Sequence, residues 1–423
     1  MKKYDLYKDS GVNWIGEIPS HWETTPFSHF FQIRKDIAGK EGYDVLSVTQ
    51  TGIKVKDIEH NEGQIALDYS KYQFADPGDF IMNHMDLITG YIGRAESLGV
   101  TSPDYRVFRA FNKDAYEDYY LLVFQLCYKW KVFFALGQGV ANKGRWRLPA
   151  NQLKKFQIPV PPLKEQERIT NFLKNKNKEI DGLIVNIEHE IELLKEYKQS
   201  AIARVVFHGL NPDAPMKESG VSWMGSVPAH WEIKRLASAF TENRTSNSDL
   251  SYTDAYKFNY GALVRKDEDT SITEDVLEIY KKYTVIKPND ILINGLNLNY
   301  DFVSQRVAIS YDSGIITSAY LAITPRENIN PTYYCYLLKS MDAKKLFHGM
   351  GTGIRLTLSF AELKKQLILF PPIEEQDDIV KYINYKTTEI DRLVVELTYQ
   401  VEYLKEYKQR LIADVVTGKI NVQ

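Results

Sequence analysis

Two short segments of the sequence approach motifs that hold substrate and cofactor in amino-methyltransferases. Asn330-Pro-Thr-Tyr333 is close to the Asn/Asp-Pro-Pro-Tyr/Phe motif for the target amine, and Phe347-His-Gly349-Met-Gly351 is close to the Phe-x-Gly-x-Gly cofactor turn. A cofactor turn should follow a strand, so that its backbone amides face the ligand, whereas this one follows a segment of helical pattern. We therefore predict a helix N-terminus and a glycine loop here, not a methyltransferase site.

Other catalytic patterns are missing from the sequence. It contains no Gly-x-x-x-x-Gly-Lys-Ser/Thr phosphate loop, and its eight histidines form no metal-binding pattern. His21 and His230 recur in a Pro-x-His-Trp box, where we predict that they stabilise a turn. Cys127 and Cys335 lie among apolar residues and are predicted to be buried, as fits a reducing cytoplasm. The chain is therefore predicted to have no catalytic site, cofactor or metal of its own.

Local basic stretches indicate a nucleic-acid ligand. Residues 137–155 hold five cations and no acid, and residues 343–366 hold five cations and one acid, Glu362. Glycine flexibility beside cations permits close approach to phosphates and insertion into a groove. For four cations we favour DNA contact over a solvated face: Lys143, Arg145, Arg147 and Arg355. Weaker candidates are Lys54, Lys56, Arg265, Lys266 and Arg306. A solvated helix face is the preferred interpretation for Lys154, Lys155, Lys364 and Lys365.

The net charge of the chain is −2, which is unusual for a free-standing DNA-binding protein. A free-standing DNA-binding protein without a surplus of cations would gain little affinity from counterion release. The nearly equal numbers of acidic and basic residues leave acidic surface on which protein partners could dock. No window approaches the apolar length that a membrane span needs.

An internal repeat organises the chain. Residues 9–22 and 218–231 agree at 8 of 14 positions, and residues 162–206 align without a gap on residues 372–416, matching at 21 of 45 positions. Between these landmarks the copies share only a skeleton. Asp79 and Asp290 each end a turn sequence that precedes a predicted strand, and helical windows follow at 116–134 and 331–347. Each copy is therefore predicted to contain a mixed α+β globular domain.

Each copy ends in a helical segment with a heptad seam of apolar residues. The seams are predicted to pair through Ile184, Ile187, Ile191 and Leu194 in the first copy and Val394, Leu397, Val401 and Leu404 in the second. Neither seam has a partner in its own copy. We expect the two helices, each about 60 Å long, to pack as an antiparallel coiled coil with the globular domains at opposite ends, related by a pseudo-two-fold. The alternative is that each helix docks on its own domain.

The repeated boxes make the chain resemble the specificity subunits of type I restriction-modification enzymes. The resemblance rests on Ser10-Gly-Val-Asn-Trp14-Ile-Gly-Glu-Ile-Pro19-Ser-His-Trp22, Pro-Pro-Leu-Lys-Glu165-Gln166, Glu179-Ile-Asp181 and Leu194-Lys-Glu-Tyr197-Lys-Gln199, each with a second copy. It covers essentially the whole chain. It implies two target-recognition domains that read a split site in double-stranded DNA, and helices that bind two methyltransferase subunits. Restriction and translocase subunits would join through the complex, and S-adenosylmethionine, ATP and Mg²⁺ would belong to the partner subunits.

The predicted division has four segments: target-recognition domains at 1–160 and 211–370, a long helix at 161–210, and a second helix with a tail at 371–423. Two other classes of protein remain open. One is an autonomous bipartite DNA-binding protein, against which the near-zero net charge argues. The other is a coiled-coil protein adaptor, against which the basic glycine loops argue.

Overall fold

The computed structural model describes residues 2–57, 68–139, 146–266, 273–353 and 356–422. The chain forms two compact units: unit 1 is Met1–Ile187 with Tyr399–Gln423, and unit 2 is Glu188–Thr398. The predicted segments keep each long helix whole, whereas the boundary between the compact units cuts both helices. Each unit therefore contains part of both. Lys143, Arg145 and Arg355 lie outside the described residues.

The globular part of unit 1 is built from twelve short strands and three helices among its described residues. The strands are β1 (Tyr7–Asp9), β2 (Glu17–Pro19), β3 (Glu23–Pro26), β4 (Phe31–Arg34), β5 (Leu46–Thr49), β6 (Gly52–Val55), β7 (Gln73–Ala75), β8 (Phe80–Met82), β9 (Ile92–Arg94), β10 (Gly99–Thr101), β11 (Arg106–Ala110) and β12 (Gln157–Val160). The helices are α1 (Glu117–Lys129), α2 (Val132–Ala135) and α3 (Ala150–Lys155), and the long helix α4 (Leu163–His208) follows.

Unit 2 repeats the order of the strands along the chain, with one described helix placed between its sixth and seventh strands. Its strands are β13 (Met216–Glu218), β14 (Ser226–Pro228), β15 (Glu232–Arg235), β16 (Phe240–Glu242), β17 (Tyr256–Asn259), β18 (Ala262–Arg265), β19 (Thr284–Ile286), β20 (Ile291–Ile293), β21 (Val307–Ile309), β22 (Gly314–Ile316), β23 (Leu321–Pro325) and β24 (Leu367–Phe370). Its helices are α5 (Glu274–Tyr280), α6 (Pro331–Ala343) and α7 (Phe360–Leu363), and the long helix α8 (Ile373–Val416) follows.

A four-stranded antiparallel sheet forms the centre of each unit. Its order is β4-β11-β8-β9 in unit 1 and β16-β23-β20-β21 in unit 2. Helix α1 packs beside β9, and α6 packs beside β21. The prediction of a mixed α+β domain in each copy is confirmed.

The predicted turns lead into the central strands. In unit 1 the backbone N–H of Asp76 donates to the Asp79 carboxylate at 2.8 Å, and Gly78 adopts a φ of 90°. In unit 2 Lys287 N–H donates to Asp290 at 2.9 Å, and Asn289 takes the positive φ at 76°. Glycine and asparagine tolerate this conformation best, so the two different sequences make the same turn. Both aspartates are buried and serve the turn, as predicted.

The two long helices run antiparallel within each unit. In unit 1 the start of α4 and the end of α8 both reach α1: Gln166 accepts a hydrogen bond from the N–H of Tyr116, and the Val416 carbonyl accepts one from Tyr119. Farther along, Lys408 of α8 pairs with Asp181 of α4 at 2.6 Å.

Unit 2 has the same arrangement with the roles of the helices exchanged. Gln376 at the start of α8 accepts from the N–H of Asn330, and the Val206 carbonyl near the end of α4 accepts from Tyr333. Lys198 pairs with Asp391 at 2.6 Å. Each globular part thus binds the end of the long helix that follows the other copy.

The predicted seam lies on the inward stripe of both helices. In unit 1 Ile184 and Val401 are buried in the core cluster, and Ile187 and Leu404 pack against it half-buried. In unit 2 Ile191 is buried, and Leu194, Val394 and Leu397 are half-buried. Which of these residues touch one another across the seam stays a prediction.

No helix among the described residues is both long enough and apolar enough to cross a membrane.

Candidate nucleic-acid interface

Two residues of the basic glycine stretch of unit 1 pair through their backbones and form the base of a short hairpin. Gln138 and Arg147 exchange hydrogen bonds in both directions, at 2.8 and 3.0 Å. Arg147 is exposed. Lys143 and Arg145 lie between Gln138 and Arg147 in the sequence and are outside the described residues. In unit 2 Thr352 and Thr357 make the equivalent pair, at 2.9 and 3.1 Å, around the segment with Arg355.

In each unit this hairpin lies against the loop between two central strands. In unit 1 Leu148 N–H donates to the His84 carbonyl at 2.9 Å, which joins the hairpin to the β8–β9 loop. In unit 2 Leu358 N–H donates to Gly295 at 2.9 Å, and Leu298 N–H to Leu356 at 3.2 Å, which joins it to the β20–β21 loop. The same two segments therefore meet in both copies.

A second hairpin adds its tip to each of these loops. In unit 1 the Gln50 side chain, in the β5–β6 turn, donates to the Thr89 carbonyl at 2.5 Å. In unit 2 the β17–β18 turn holds Gly261 so close to Gln305 that a Cβ would stand 2.4 Å from its Oε1. We call these three segments the loop edge: the β5–β6 turn, residues 83–91 and the paired residues Gln138 and Arg147 in unit 1, and the β17–β18 turn, residues 294–306 and the paired residues Thr352 and Thr357 in unit 2.

Two of the predicted contact cations are described and exposed beside the loop edge of unit 1. Arg147 ends its hairpin, and Lys54 lies on β6 next to the β5–β6 turn. Lys154 and Lys155 are exposed on α3, consistent with the predicted solvated face. Among the weaker candidates, Arg265 forms an ion pair with Asp254, and Lys266 stands over the Tyr283 ring.

The prediction that Arg306 contacts DNA is wrong. Arg306 is only 1% exposed. Its guanidinium donates to three loop carbonyls: Asn294 at 3.0 Å, Leu296 at 2.8 Å and Asp301 at 2.7 Å. Three hydrogen bonds from one buried guanidinium tie separate positions of the loop together, so this arginine braces the loop edge from inside.

Four exposed apolar residues of the unit 2 loop edge are not among the predicted contact residues, which are all cations. These are Tyr260, Tyr300, Phe302 and Val303. Their positions in a turn and a loop, where no core is available, are the pattern that could have revealed them.

The two segments that approach methyltransferase motifs form a helix cap and a 3-10 helix. Asn330 is the N-cap of α6, and its side chain accepts hydrogen bonds from the backbone N–H groups of Thr332 and Tyr333. Gly349 ends a 3-10 helix, Leu346–Gly349, that follows α6. The prediction of a helix N-terminus is confirmed, whereas the predicted glycine loop begins only after Gly349, which belongs to the 3-10 helix.

The repeated boxes form a joint between each globular part and the long helices. His21 lies 2.9 Å from the buried carboxylate of Glu165, which also accepts from Tyr4, and His230 lies 2.8 Å from Glu375. Burial and the Glu165 hydrogen bond raise the pKa of Tyr4, which keeps this phenol protonated as the donor. The histidines therefore fix the turn to the start of a long helix.

A glycine follows the C-terminal end of each long helix and packs against the Pro-x-His-Trp box. Gly418, just after α8, has a φ of 78°, and a Cβ there would stand 2.5 Å from Pro19 and 3.0 Å from Trp22. Gly209, just after α4, has a φ of 74°, and its Cβ would stand 3.3 Å from Trp231. Each tryptophan of the Pro-x-His-Trp box thus covers the C-terminal end of a long helix, where only glycine fits.

Cys127 and Cys335 are free and buried, as predicted. Burial raises the pKa of Cys335 to about 11, so this thiol stays protonated. Among the described residues no cluster of histidine, cysteine and carboxylate side chains could hold a metal ion.

A duplicated frame with a different loop edge on each copy defines a class of two-site recognition proteins. A family model, "Type I restriction modification DNA specificity domain", matches twice, at residues 19–193 and 228–398. The chain belongs to this family of type I restriction-modification DNA specificity subunits. The two matches coincide with the two copies of the repeat.

Individual relatives agree with the family. The chain is 24% identical over 431 residues to a putative type I restriction enzyme specificity subunit, MjaX, of Methanocaldococcus jannaschii, covering 97% of this chain and 96% of the relative. It is 20% identical over 292 residues to the EcoKI specificity subunit of Escherichia coli K12, covering 63% of this chain and 58% of that one.

Two solved structures share the fold. One is a chain from a study of complex assembly in the type I restriction-modification system, with a TM-score of 0.67, 15% identity, and coverage of 95% of this chain and 99% of that one. The other is the HsdS subunit of Thermoanaerobacter tengcongensis, with a TM-score of 0.58, 16% identity, and coverage of 95% and 98%.

Proposed function

We propose that the chain reads a bipartite DNA target, one half-site through the loop edge of each unit. The observation that carries the proposal is that both family matches include a loop edge, and that the two edges bear different side chains. Unit 1 presents Gln50, Lys54 and Arg147, which suit hydrogen bonds to bases and phosphates, whereas unit 2 presents Tyr300 and Val303. Two unlike edges on like frames would read two different short sequences.

We further propose that two methyltransferase subunits dock on the long helices. Exposed apolar residues occur there in equivalent pairs 210 positions apart: Leu183 and Leu393, Val185 and Val395, and Tyr197 and Tyr407. Isolated apolar residues are ordinary on a surface, but a repeated set at matched positions favours two copies of one protein partner. Restriction and translocase subunits would join through that complex.

The chemistry would then belong to the partners. In this proposal the chain is non-catalytic and acts in the cytoplasm, while S-adenosylmethionine, ATP and Mg²⁺ are bound by the other subunits. The purified chain alone should neither methylate nor cleave DNA nor hydrolyse ATP.

Methylation profiling of host DNA with and without the chain tests the proposal. We expect one bipartite motif, with an unspecified gap, to lose methylation when the chain is absent. Exchanging residues 23–155 with those of a relative should change one half-site and leave the other, and exchanging residues 232–365 should do the reverse. A target without a gap, or a swap that alters both half-sites together, would contradict independent reading and return the chain to the adaptor class.

The long helices should set the gap. Inserting or deleting one heptad within residues 163–206, with a matching change in residues 373–416 to keep the helices in register, should alter the tolerated spacing while both half-sites stay readable. An unchanged gap in a folded variant would argue against this role.

A further inference from the structure

The loop edge of unit 2 exposes a group of apolar side chains. Tyr260 is 89% exposed, Tyr300 77%, Phe302 55% and Val303 91%. Three of them lie within four consecutive residues, and the contact between Gly261 and Gln305 brings the β17–β18 turn to the same loop. Their exposure means that they contribute almost nothing to the core of unit 2.

The backbone holds these side chains outward. Tyr260 has a φ of 47°, a conformation that bulky residues avoid. Tyr260 and Gly261 are the two central residues of the β17–β18 turn, and a two-residue hairpin turn of this kind requires a positive φ at both, so the turn holds the Tyr260 ring at its exposed tip.

The loop that carries the other three is rigidly built. Arg306 braces it from inside, and the Asp301 carboxylate accepts from the N–H groups of Val303 and Ser304 at 3.1 and 2.9 Å. These hydrogen bonds lower the pKa of Asp301 to about 2. The loop's acid is thus turned toward its own backbone, and Phe302 is held by stacking on His348 at 4.6 Å.

We propose that unit 2 reads its half-site through apolar contact of Tyr300 and Val303, with Tyr260 beside them, to thymine C5-methyl groups in the major groove. The inference rests on the proposed function and names the chemistry of this half-site. The thymine methyl is the apolar group that base edges present in the major groove. Val303 has no donor or acceptor and can discriminate only through such a group, and the Tyr300 and Tyr260 rings can contact it with their apolar edges.

Uracil replaces thymine with the loss of that methyl alone, which gives a direct test. After the target is known, the complex of the chain with its modification subunits is titrated with duplexes carrying uracil in either half-site. We expect uracil in the unit 2 half-site to weaken binding about fourfold per contacted methyl, at about 0.8 kcal/mol for each buried CH₂ equivalent. Uracil in the unit 1 half-site should change affinity less.

Variants connect that effect to the residues. Val303→Ser and Tyr300→Ser should weaken binding to the thymine duplex and abolish its advantage over the uracil duplex. Tyr311→Ser is the matched control, because Tyr311 is 75% exposed but follows β21 at the end opposite to the loop edge. It should leave the discrimination unchanged.

The outcomes separate this inference from the proposed function. Normal binding of the bipartite target with no loss on uracil substitution, or a unit 2 half-site without any A·T pair, would overturn the thymine contact alone. Val303→Ser and Tyr300→Ser complexes that assemble poorly but bind DNA normally once assembled would show that the patch binds protein instead. Failure to bind any bipartite target would overturn the proposed function.

Discussion

Unit 1 and unit 2 hold the ends of their long helices in the same way but fill their globular parts with different side chains. Equivalent residues form the joint in both units. Tyr119 and Tyr333 donate to carbonyls at the ends of the long helices. Gln166 and Gln376 accept hydrogen bonds from backbone N–H groups at the starts of α1 and α6. Away from the joint the identities diverge, even where the backbone is equivalent.

The core under the central sheet shows the divergence. In unit 1 five phenylalanines pack with ring centroids 5.0 to 5.8 Å apart: Phe27, Phe31, Phe80, Phe108 and Phe124. At equivalent positions unit 2 has Leu236, Phe240, Ile291, Ile323 and Leu338, all buried. Cores accept such exchanges when volume is redistributed among neighbours.

The comparison shows that side-chain identity is restricted more strongly at the joints than in the sheet cores or the loop edges. A joint must fit a helix end of fixed shape, so the histidine–glutamate contact, the tyrosine bond to the helix-end carbonyl and the glycine recur in both copies. The second donor to the glutamate differs, since Tyr4 donates to Glu165 and the Trp231 indole donates to Glu375. A sheet core needs only to be filled, and under the proposed function a loop edge needs only to fit its own half-site. The same fold can therefore carry two unrelated recognition surfaces.

Arg306→Met should have the largest effect and should be confined to unit 2. Three loop carbonyls would lose a charged donor, and because a hydrogen bond to a charged group contributes about 1.5 kcal/mol or more, the free energy of unfolding should fall by about 3 to 5 kcal/mol. Chemical denaturation gives the loss, and hydrogen exchange locates it. Arg147→Met is the matched control and should not change stability, because Arg147 is exposed. Equal stability of both variants would contradict the bracing role.

Gly418→Ala should destabilise unit 1 by about 2 to 3 kcal/mol, because alanine is strained at positive φ and its Cβ would meet Pro19. Gly182→Ala is the same change within α4, where nothing lies within 4 Å of the added Cβ. It should stabilise the chain by about 0.5 to 1 kcal/mol through helix propensity. Thermal unfolding measures both, and a change of the same sign in the two variants would argue against the sealed joint.

Arg306 and Arg147 also show what the sequence could and could not predict. The repeat and the heptad pattern predicted two α+β domains and the inward stripe of the helices, because periodicity reports which face is buried. The direction of a single side chain from a loop has no such periodicity. Arg306 therefore looked like an exposed cation, although the carbonyls that bind it are brought together only by the folded loop.

Tyr119→Phe and Tyr333→Phe should each cost about 1 kcal/mol, the usual contribution of one hydrogen bond. Both phenols are fully buried and donate to the end of a long helix, at 2.8 and 3.0 Å. Equal losses, measured by chemical denaturation, would confirm that the two joints are equivalent. A loss in one unit only would show that the repeat preserves geometry without preserving energetics.

Arg147→Met should have the smallest effect, and on DNA binding alone. Arg147 is exposed at the hairpin base, so the expected loss is one phosphate contact: affinity should fall about fivefold, and the slope of log K against log salt should decrease by about 0.9. Lys154→Met is the matched control from the same basic stretch, since Lys154 lies on the exposed face of α3. It should leave both quantities unchanged. Because a phosphate contact carries no sequence information, Arg147→Met should weaken binding to specific and unrelated duplexes alike. A loss restricted to the specific duplex would mean that Arg147 reads a base, and equal losses in the two variants would mean that the whole stretch acts only through its charge.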